Sequence, residues 1–231
     1  MKPSGMPQPT QLQLPLMAAI TPAPLAREPF QAEGLRLRLW SGWLADAAAW
    51  FQVLRQAIPW QQPTLRLYGR QSPIPRLSCW VADVDHAYAY SGLEQSPQAW
   101  TPTLQRLRGL IEVQLDLKPG RGFNGVLLNY YRDGRDAMGW HADDEPELDP
   151  DAPIASLSLG ARRTFRLRPR RGAAAPLHLE LGDGDLLVMD PPTQSHWQHA
   201  LPRRLRLREP RLNLTFRRLR AALPAGGPAD R

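Results

Sequence analysis

From about residue 123 onward the apolar positions come in short runs parted by turn signals. Residues 126–131, 154–159, 164–168, 177–181, 185–189 and 212–217 are predicted strands. Leu177-His178-Leu179-Glu180-Leu181 alternates strictly, as a half-buried strand does. Arg170-Arg171-Gly172 and Gly182-Asp183-Gly184 punctuate the runs as turns. Upstream, two stretches change to helical spacing. Residues 43–58 bring Leu44, Ala47, Phe51, Leu54 and Ile58 onto one face. Residues 102–116 follow Thr101 as a cap and Pro102 at the first helical position, with Leu104, Leu107, Ile111 and Leu115 forming the apolar face. Many short strands without intervening helices predict an all-β sandwich or jelly roll with the two helices packed outside it. The fold class is therefore mainly β with flanking helices (α+β). No glycine-rich phosphate loop follows any strand, which disfavours nucleotide-binding α/β folds.

The ends read differently. Seven prolines in the first 30 residues block both helix and sheet pairing, so residues 1–30 are expected to be a loose leader. Residues 223–231 are expected to be an unstructured tail, which leaves 31–222 as a single folded domain. Among 231 residues there are 29 Lys+Arg against 22 Asp+Glu, a formal net charge of +7. Only Lys2 and Lys118 are lysines, so 27 of the 29 cations are arginine. A polyanionic partner and the codon usage of a GC-rich genome explain that balance equally well. A hydrophobic content of 42% suffices for a core. The lone Cys79 excludes an internal disulfide framework and a Cys-rich zinc site. Residues 12–25 are mildly apolar but broken by Pro15, Pro22 and Pro24, and only Lys2 precedes them. No signal peptide or membrane span is expected, and the location expected is the cytoplasm.

Chemistry concentrates in two places. In His141-Ala142-Asp143, residues two apart on an extended segment share a face, so imidazole and carboxylate can converge on one ion. His196 and His199 are three apart, and only one of them would face the same site from a strand. Two histidines and one carboxylate are the ligand set of non-haem Fe(II) oxygenases. A His-x-Asp pair alone also fits zinc or manganese hydrolases, or a surface histidine with satisfied hydrogen bonds. The second place is Arg211-Leu212-Asn213-Leu214-Thr215-Phe216-Arg217. Its polar residues share one strand face and its apolar residues the other. Turned toward a core, that polar row needs an anion, which a small dicarboxylate supplies through bidentate Arg–carboxylate bonds. Turned toward solvent, it is an edge strand. Asn129 and Tyr131 also share a face and could complete the same pocket.

These residues together resemble the AlkB-type Fe(II)/2-oxoglutarate dioxygenases, the direct-reversal nucleic-acid demethylases. The motifs are Asn129-Tyr130-Tyr131-x-Asp133-Gly134, His141-x-Asp143-Asp144-Glu145, Ile154-Ala155-Ser156-Leu157-Ser158-Leu159-Gly160, His199, and Arg211-x-Asn213-x-Thr215-x-Arg217. Upstream, Pro75-Arg76 and Tyr88-Ala89-Tyr90-Ser91-Gly92 resemble the nucleotide-recognition lid of the DNA-repair members. The resemblance covers roughly residues 35–220. It implies a double-stranded β-helix (jelly-roll) core over about 120–220 and a lid over about 62–95.

What it implies for single residues is specific. His141, Asp143 and His199 match the iron ligands, which favours His199 over His196. Arg211 matches the clamp on the distal carboxylate of 2-oxoglutarate, helped by Tyr131 and Asn213. Arg217 and Asn129 match residues near the metal-bound end, with Thr215 supporting them. Tyr88 and Tyr90 match lid aromatics, Tyr90 being the one expected to stack on a flipped base. Asp144 and Glu145 match the acidic position that reads the base edge. Arg76 matches a residue near the nucleic-acid backbone, and Tyr68 sits where some duplex-acting members place an aromatic wedge. The cofactor set implied is Fe(II), 2-oxoglutarate and O2. The activity implied is oxidative demethylation of bases such as 1-methyladenine and 3-methylcytosine in DNA, or in RNA, by a monomer that engages no membrane. A bacterial source with action at the nucleoid is the accompanying expectation. Arg162, Arg163, Arg166, Arg168, Arg170 and Arg171 are the expected phosphate contacts, with Arg203, Arg204, Arg206 and Arg208 as a second cluster. The competing readings are an oxygenase acting on protein or lipid, a non-catalytic nucleic-acid-binding module, and a hydrolase.

Overall fold

A computed structural model describes residues 27–67, 70–83, 88–90 and 93–220; the side chains of 27–31, 66, 67, 70, 88–90 and 93–95 lie outside that description. Residues 1–26 and 221–231 also lie outside it, and with them Tyr68, the expected tail 223–231 and the expected leader as far as residue 26. In chain order the elements are β1 (Arg27–Ala32), β2 (Leu35–Trp40), α1 (Ala47–Ala57), β3 (Thr64–Leu67), β4 (Arg70–Pro73) and β5 (Leu77–Ala82). Then come β6 (Tyr88–Tyr90), β7 (Leu93–Gln95), α2 (Pro102–Gln114), β8 (Gly125–Tyr131), β9 (Met138–His141) and β10 (Ile154–Gly160). The last are β11 (Arg163–Pro169), β12 (Leu177–Leu181), β13 (Leu186–Met189), the single turn α3 (Thr193–His196), β14 (Trp197–Leu201) and β15 (Arg211–Arg217).

All six predicted strands and both helices form. Thr101 accepts a hydrogen bond from the Leu104 amide at 3.3 Å, and Pro102 occupies the first turn of α2. That helix stops at Gln114, two residues short of the expected end, as Asp116 takes a left-handed conformation (φ 49°). Residues 43–46 are not helical. The Leu44 amide donates to Gly184 O at 3.0 Å, tying that stretch to the turn before β13, and α1 starts only at Ala47. The sequence reading did not assign β1, β2 or β5. β1 takes in Arg27 to Phe30, the end of the stretch expected to be leader.

Seven strands form the larger sheet in the order β1-β2-β13-β10-β15-β8-β5, and four form the smaller one, β12-β11-β14-β9. The strand alternation sorts side chains into two apolar layers. One face of the larger sheet carries Leu212, Leu214, Phe216, Leu128, Leu157 and Val81, which pack with Trp50, Leu54, Leu104, Leu107 and Ile111 of α1 and α2. The other face meets the smaller sheet, with Leu35, Leu37, Leu39, Leu187 and Met189 clustered with Phe165, Leu167, Leu179, Leu181 and Trp197. The β1–β2 hairpin turns at Gly34 (φ 67°), where a Cβ would lie 2.5 Å from the His196 side chain. Two small hairpins, β3–β4 and β6–β7, lie in the region expected to be the lid, and β5 between them joins the larger sheet instead. Among the described residues no helix is long and apolar enough to cross a membrane.

Candidate active site

Where the two sheets approach, the polar row of β15 faces strands β9 and β14. His199 pairs directly with His141 across the β14–β9 ladder, and their ring centroids are 4.1 Å apart at 65°. Asp143 follows two residues after His141. One donor atom from each of His141, Asp143 and His199 lies within 4.8 Å of the others. His141 Nδ1–H donates to Gly139 O at 2.9 Å, which leaves Nε2 to face the cluster, 3.8 Å from Asp143 Oδ1. His196 is exposed instead, with Nδ1 against Pro192 O at 3.2 Å.

Burial sets the protonation states. It pushes His199 down to about 3, reinforced by the His141 charge, and lowers His141 as well. Burial works to raise the Asp143 carboxyl. The Arg217 guanidinium 2.8 Å away, with His199 and His141, overcomes it and holds Asp143 down to about 2. At neutral pH the cluster is thus two neutral imidazoles and a carboxylate, the ligating forms. Its donor set fits Fe(II), and Zn(II) by donor type alone.

The wall opposite carries the anion demand. Arg211 is 2% exposed, and burial pushes its guanidinium down to about 10. Its Nη2 donates to Ser158 Oγ at 2.8 Å, its cation lies 5.6 Å from the Tyr131 ring centroid, and its Nε has no hydrogen-bond partner among the described residues. Among the described residues no carboxylate comes within 4.0 Å of it. A buried cation that no carboxylate contacts costs several kcal/mol by order of magnitude, so the pocket calls for a carboxylate from outside. Asn213 donates to Ser156 Oγ (2.8 Å) and Leu157 O (3.1 Å), and Thr215 donates to Asn213 Oδ1 (3.2 Å). The cavity holds about 420 Å³ of empty space including its mouth. It is lined by both histidines, Asp143, Asn129, Tyr131 and the four polar residues of β15.

The sequence profile of the 2OG-Fe(II) oxygenase superfamily matches residues 37–217. "DNA oxidative demethylase ALKBH2" of Mus musculus is 41% identical over 187 residues, covering 76% of this chain and 76% of its own length. The Homo sapiens ALKBH2 is 40% identical over 185 residues, with 76% and 69% covered. "Alpha-ketoglutarate-dependent dioxygenase alkB homolog 3" of Rattus norvegicus is 37% identical over 198 residues, with 81% and 64% covered. The chain belongs to the AlkB-type 2OG-Fe(II) oxygenases. A solved structure of OsALKBH1 superposes with a TM-score of 0.53 at 17% identity, over 82% of this chain and 100% of that one, and agrees in fold.

Other expected site residues of this oxygenase fall unevenly. Arg76, expected near the nucleic-acid backbone, is 5% exposed and donates through Nε to Asn129 Oδ1 at 2.8 Å, so it stands behind the pocket wall that Asn129 lines. Asp144 is exposed and paired with Arg170 at 2.6 Å. Glu145 is half-buried and lines, with Asp143 and Arg217, a second hollow beside the site. Tyr88 and Tyr90 fall on β6, with their side chains outside the described residues.

The arginine cluster splits. Arg163 is 1% exposed and bonds Asp136 O and Pro202 O at 3.0 and 2.8 Å, so it is a strut of the interior. Arg166, Arg168 and Arg171 are exposed, with Arg168 4.3 Å over the Trp140 ring. Ser156 and Ser158, which anchor Asn213 and Arg211, had a legible signal in the alternation of residues 154–160. Gln194, which accepts the Asp143 amide at 3.0 Å, had none.

Proposed function

We propose that this chain is an Fe(II)- and 2-oxoglutarate-dependent DNA demethylase that repairs N-alkylated bases such as 1-methyladenine and 3-methylcytosine. The observation that carries the reading is the pairing of a His-Asp-His cluster with a buried arginine that no carboxylate contacts, at the other end of one pocket. A hydrolase needs no such arginine. The name of the ALKBH2 relatives supplies the substrate class, and that of the alkB homolog 3 relatives the co-substrate. In this reading His141, Asp143 and His199 hold the iron. With O2 and 2-oxoglutarate, the bound metal supplies the oxidation that places a hydroxyl on the N-methyl carbon. The balance is one O2 and one 2-oxoglutarate consumed, with succinate, CO2 and an N-hydroxymethyl base formed. That base then releases formaldehyde and the repaired base.

The protein binds, orients and shields. Arg211, steadied by Ser158 and Tyr131, takes the distal carboxylate of 2-oxoglutarate, with Asn213 beside it. Arg217, Thr215 and Asn129 serve the other end. A stacked base cannot reach a site between two sheets, so the nucleotide is flipped out at a cost of about a few kcal/mol, least for a damaged base that pairs badly. Stacking on Tyr90 of the lid returns roughly 1–3 kcal/mol. Tyr88, Glu145 and Asp144 flank the base, and the Arg170–Asp144 pair must open for Asp144 to read it.

Mass spectrometry of single- and double-stranded oligonucleotides carrying 1-methyladenine, 3-methylcytosine or an etheno adduct tests this. After incubation with Fe(II), ascorbate and 2-oxoglutarate, the lesion mass is expected to fall with succinate formed in step. Succinate without loss of any lesion would transfer the activity to a protein or lipid substrate.

A further inference from the structure

We infer that Gln194 is a positioning residue for the metal site, fixing the main chain of the carboxylate ligand. Asp143 lies just past the end of β9, in a segment without regular structure, unlike His141 and His199, which sit in strands. Its carboxylate is held by Arg217, and its own amide donates to Gln194 Oε1 at 3.0 Å. The other end of the Gln194 amide is engaged too: Nε2 lies 3.2 Å from Met189 Sδ. The two contacts fix which way the amide faces, since the donor N–H of Asp143 must meet the oxygen.

The arm is mounted on a rigid base. Thr193 Oγ1 accepts the Arg36 amide at 3.0 Å and donates to Arg36 O at 3.1 Å, so the residue before Gln194 is bolted to β2. The Thr193 amide donates to Asp190 O at 3.0 Å, and the Arg170 amide donates to His196 O at 2.8 Å on the other side. Gln194 therefore references the Asp143 backbone to the larger sheet, while the segment it belongs to leads straight into the strand of His199. A ligand in a loop keeps its place only if something fixes the main chain from which its side chain springs. Groups that orient metal ligands in this way typically change metal affinity by about 10- to 100-fold when removed.

The inference rests on the reading of His141, Asp143 and His199 as metal ligands, and titration of the whole chain with Mn(II), followed by the loss of the free-ion EPR signal, separates the two. Gln194→Met keeps the length and bulk of the side chain and its place beside Met189 but removes the acceptor. It is expected to weaken Mn(II) binding about tenfold. Gln194→Glu keeps an acceptor and is expected to bind within about twofold of the unaltered protein. A Met variant that binds like the unaltered protein, or a Glu variant as weak as the Met variant, overturns the positioning role. His141→Ala is the control: if it leaves Mn(II) binding intact, the ligand assignment itself fails. Thermal melting of the metal-free variants reads any general loss of packing apart from the binding constants.

Discussion

Arg211 holds its charge almost wholly out of solvent, and its one side-chain hydrogen bond among the described residues is to a neutral hydroxyl. Replacing such a cation with a hydrocarbon of similar length is often neutral or stabilising. Arg211→Met is therefore expected to raise the melting temperature of the ligand-free protein while abolishing the further rise that 2-oxoglutarate gives. Removing a charge-assisted bidentate partner is expected to raise KM for 2-oxoglutarate by roughly 100-fold, read from succinate formation. The two histidines of the site set an acid limit of a different kind. His199 ordinarily titrates near 6.5 but is held to about 3 when folded, so the unfolded chain binds a proton that the native site refuses. Stability is then unaffected by this group above about 6.5 and is lost steadily as pH falls from there toward 3, with His141 adding in the same direction. Asp143, held below its usual 3.8, adds a second loss as pH falls through about 2. Calorimetry of the metal-free protein between about pH 7 and 4 checks the first window, and His199→Gln is expected to flatten it.

At the scale of single elements, alternation decides what each arginine can do. Along β11, Arg163, Phe165 and Leu167 point inward while Arg166 and Arg168 point out. Neutralising Arg166, Arg168 and Arg171 together is expected to lower the salt slope of single-strand binding by about 0.7 for each phosphate they had been neutralising. Arg163→Met is expected to leave that slope alone and to act on folding. Filter binding of an unmodified oligonucleotide across a salt series reads both. The sequence named these arginines as one cluster, since charge is visible in a string of letters while the inward turn of Arg163 is not. Its carbonyl partners, Asp136 O and Pro202 O, lie far along the chain. Strands with strong internal alternation, such as β12 and β15, were legible at once. β2 alternates Leu35, Leu37 and Leu39 with arginines and had an equal signal; β5, buried along nearly all its length, had little periodicity to offer.

In the whole molecule the two apolar layers have different duties. The layer under α1 and α2 backs the larger sheet, and the layer between the sheets sets how far apart the two halves of the site stand. Leu214→Ala in the first and Leu167→Ala in the second should each cost about 2–5 kcal/mol in denaturant unfolding. Only Leu167→Ala, whose residue pairs with His199 across β11 and β14, is expected to weaken Mn(II) binding as well. The motifs made the identities of the clustered side chains legible in advance, since each motif is local. What joins them is not local: Arg76 against Asn129, Gln194 against Asp143 and Ser158 against Arg211 meet across 51 to 53 positions of chain.

β15 serves both layers at once, its odd-numbered residues lining the pocket and its even-numbered ones filling the hydrocarbon beneath the helices. A deletion or insertion of one residue within it would exchange the two sets downstream of the change. Arginine and threonine would be driven into the apolar layer, and leucine and phenylalanine into the pocket, in a single event. Evolution can therefore tune this strand by substitution but not by changing its length, and a length variant here would forfeit chemistry and folding together.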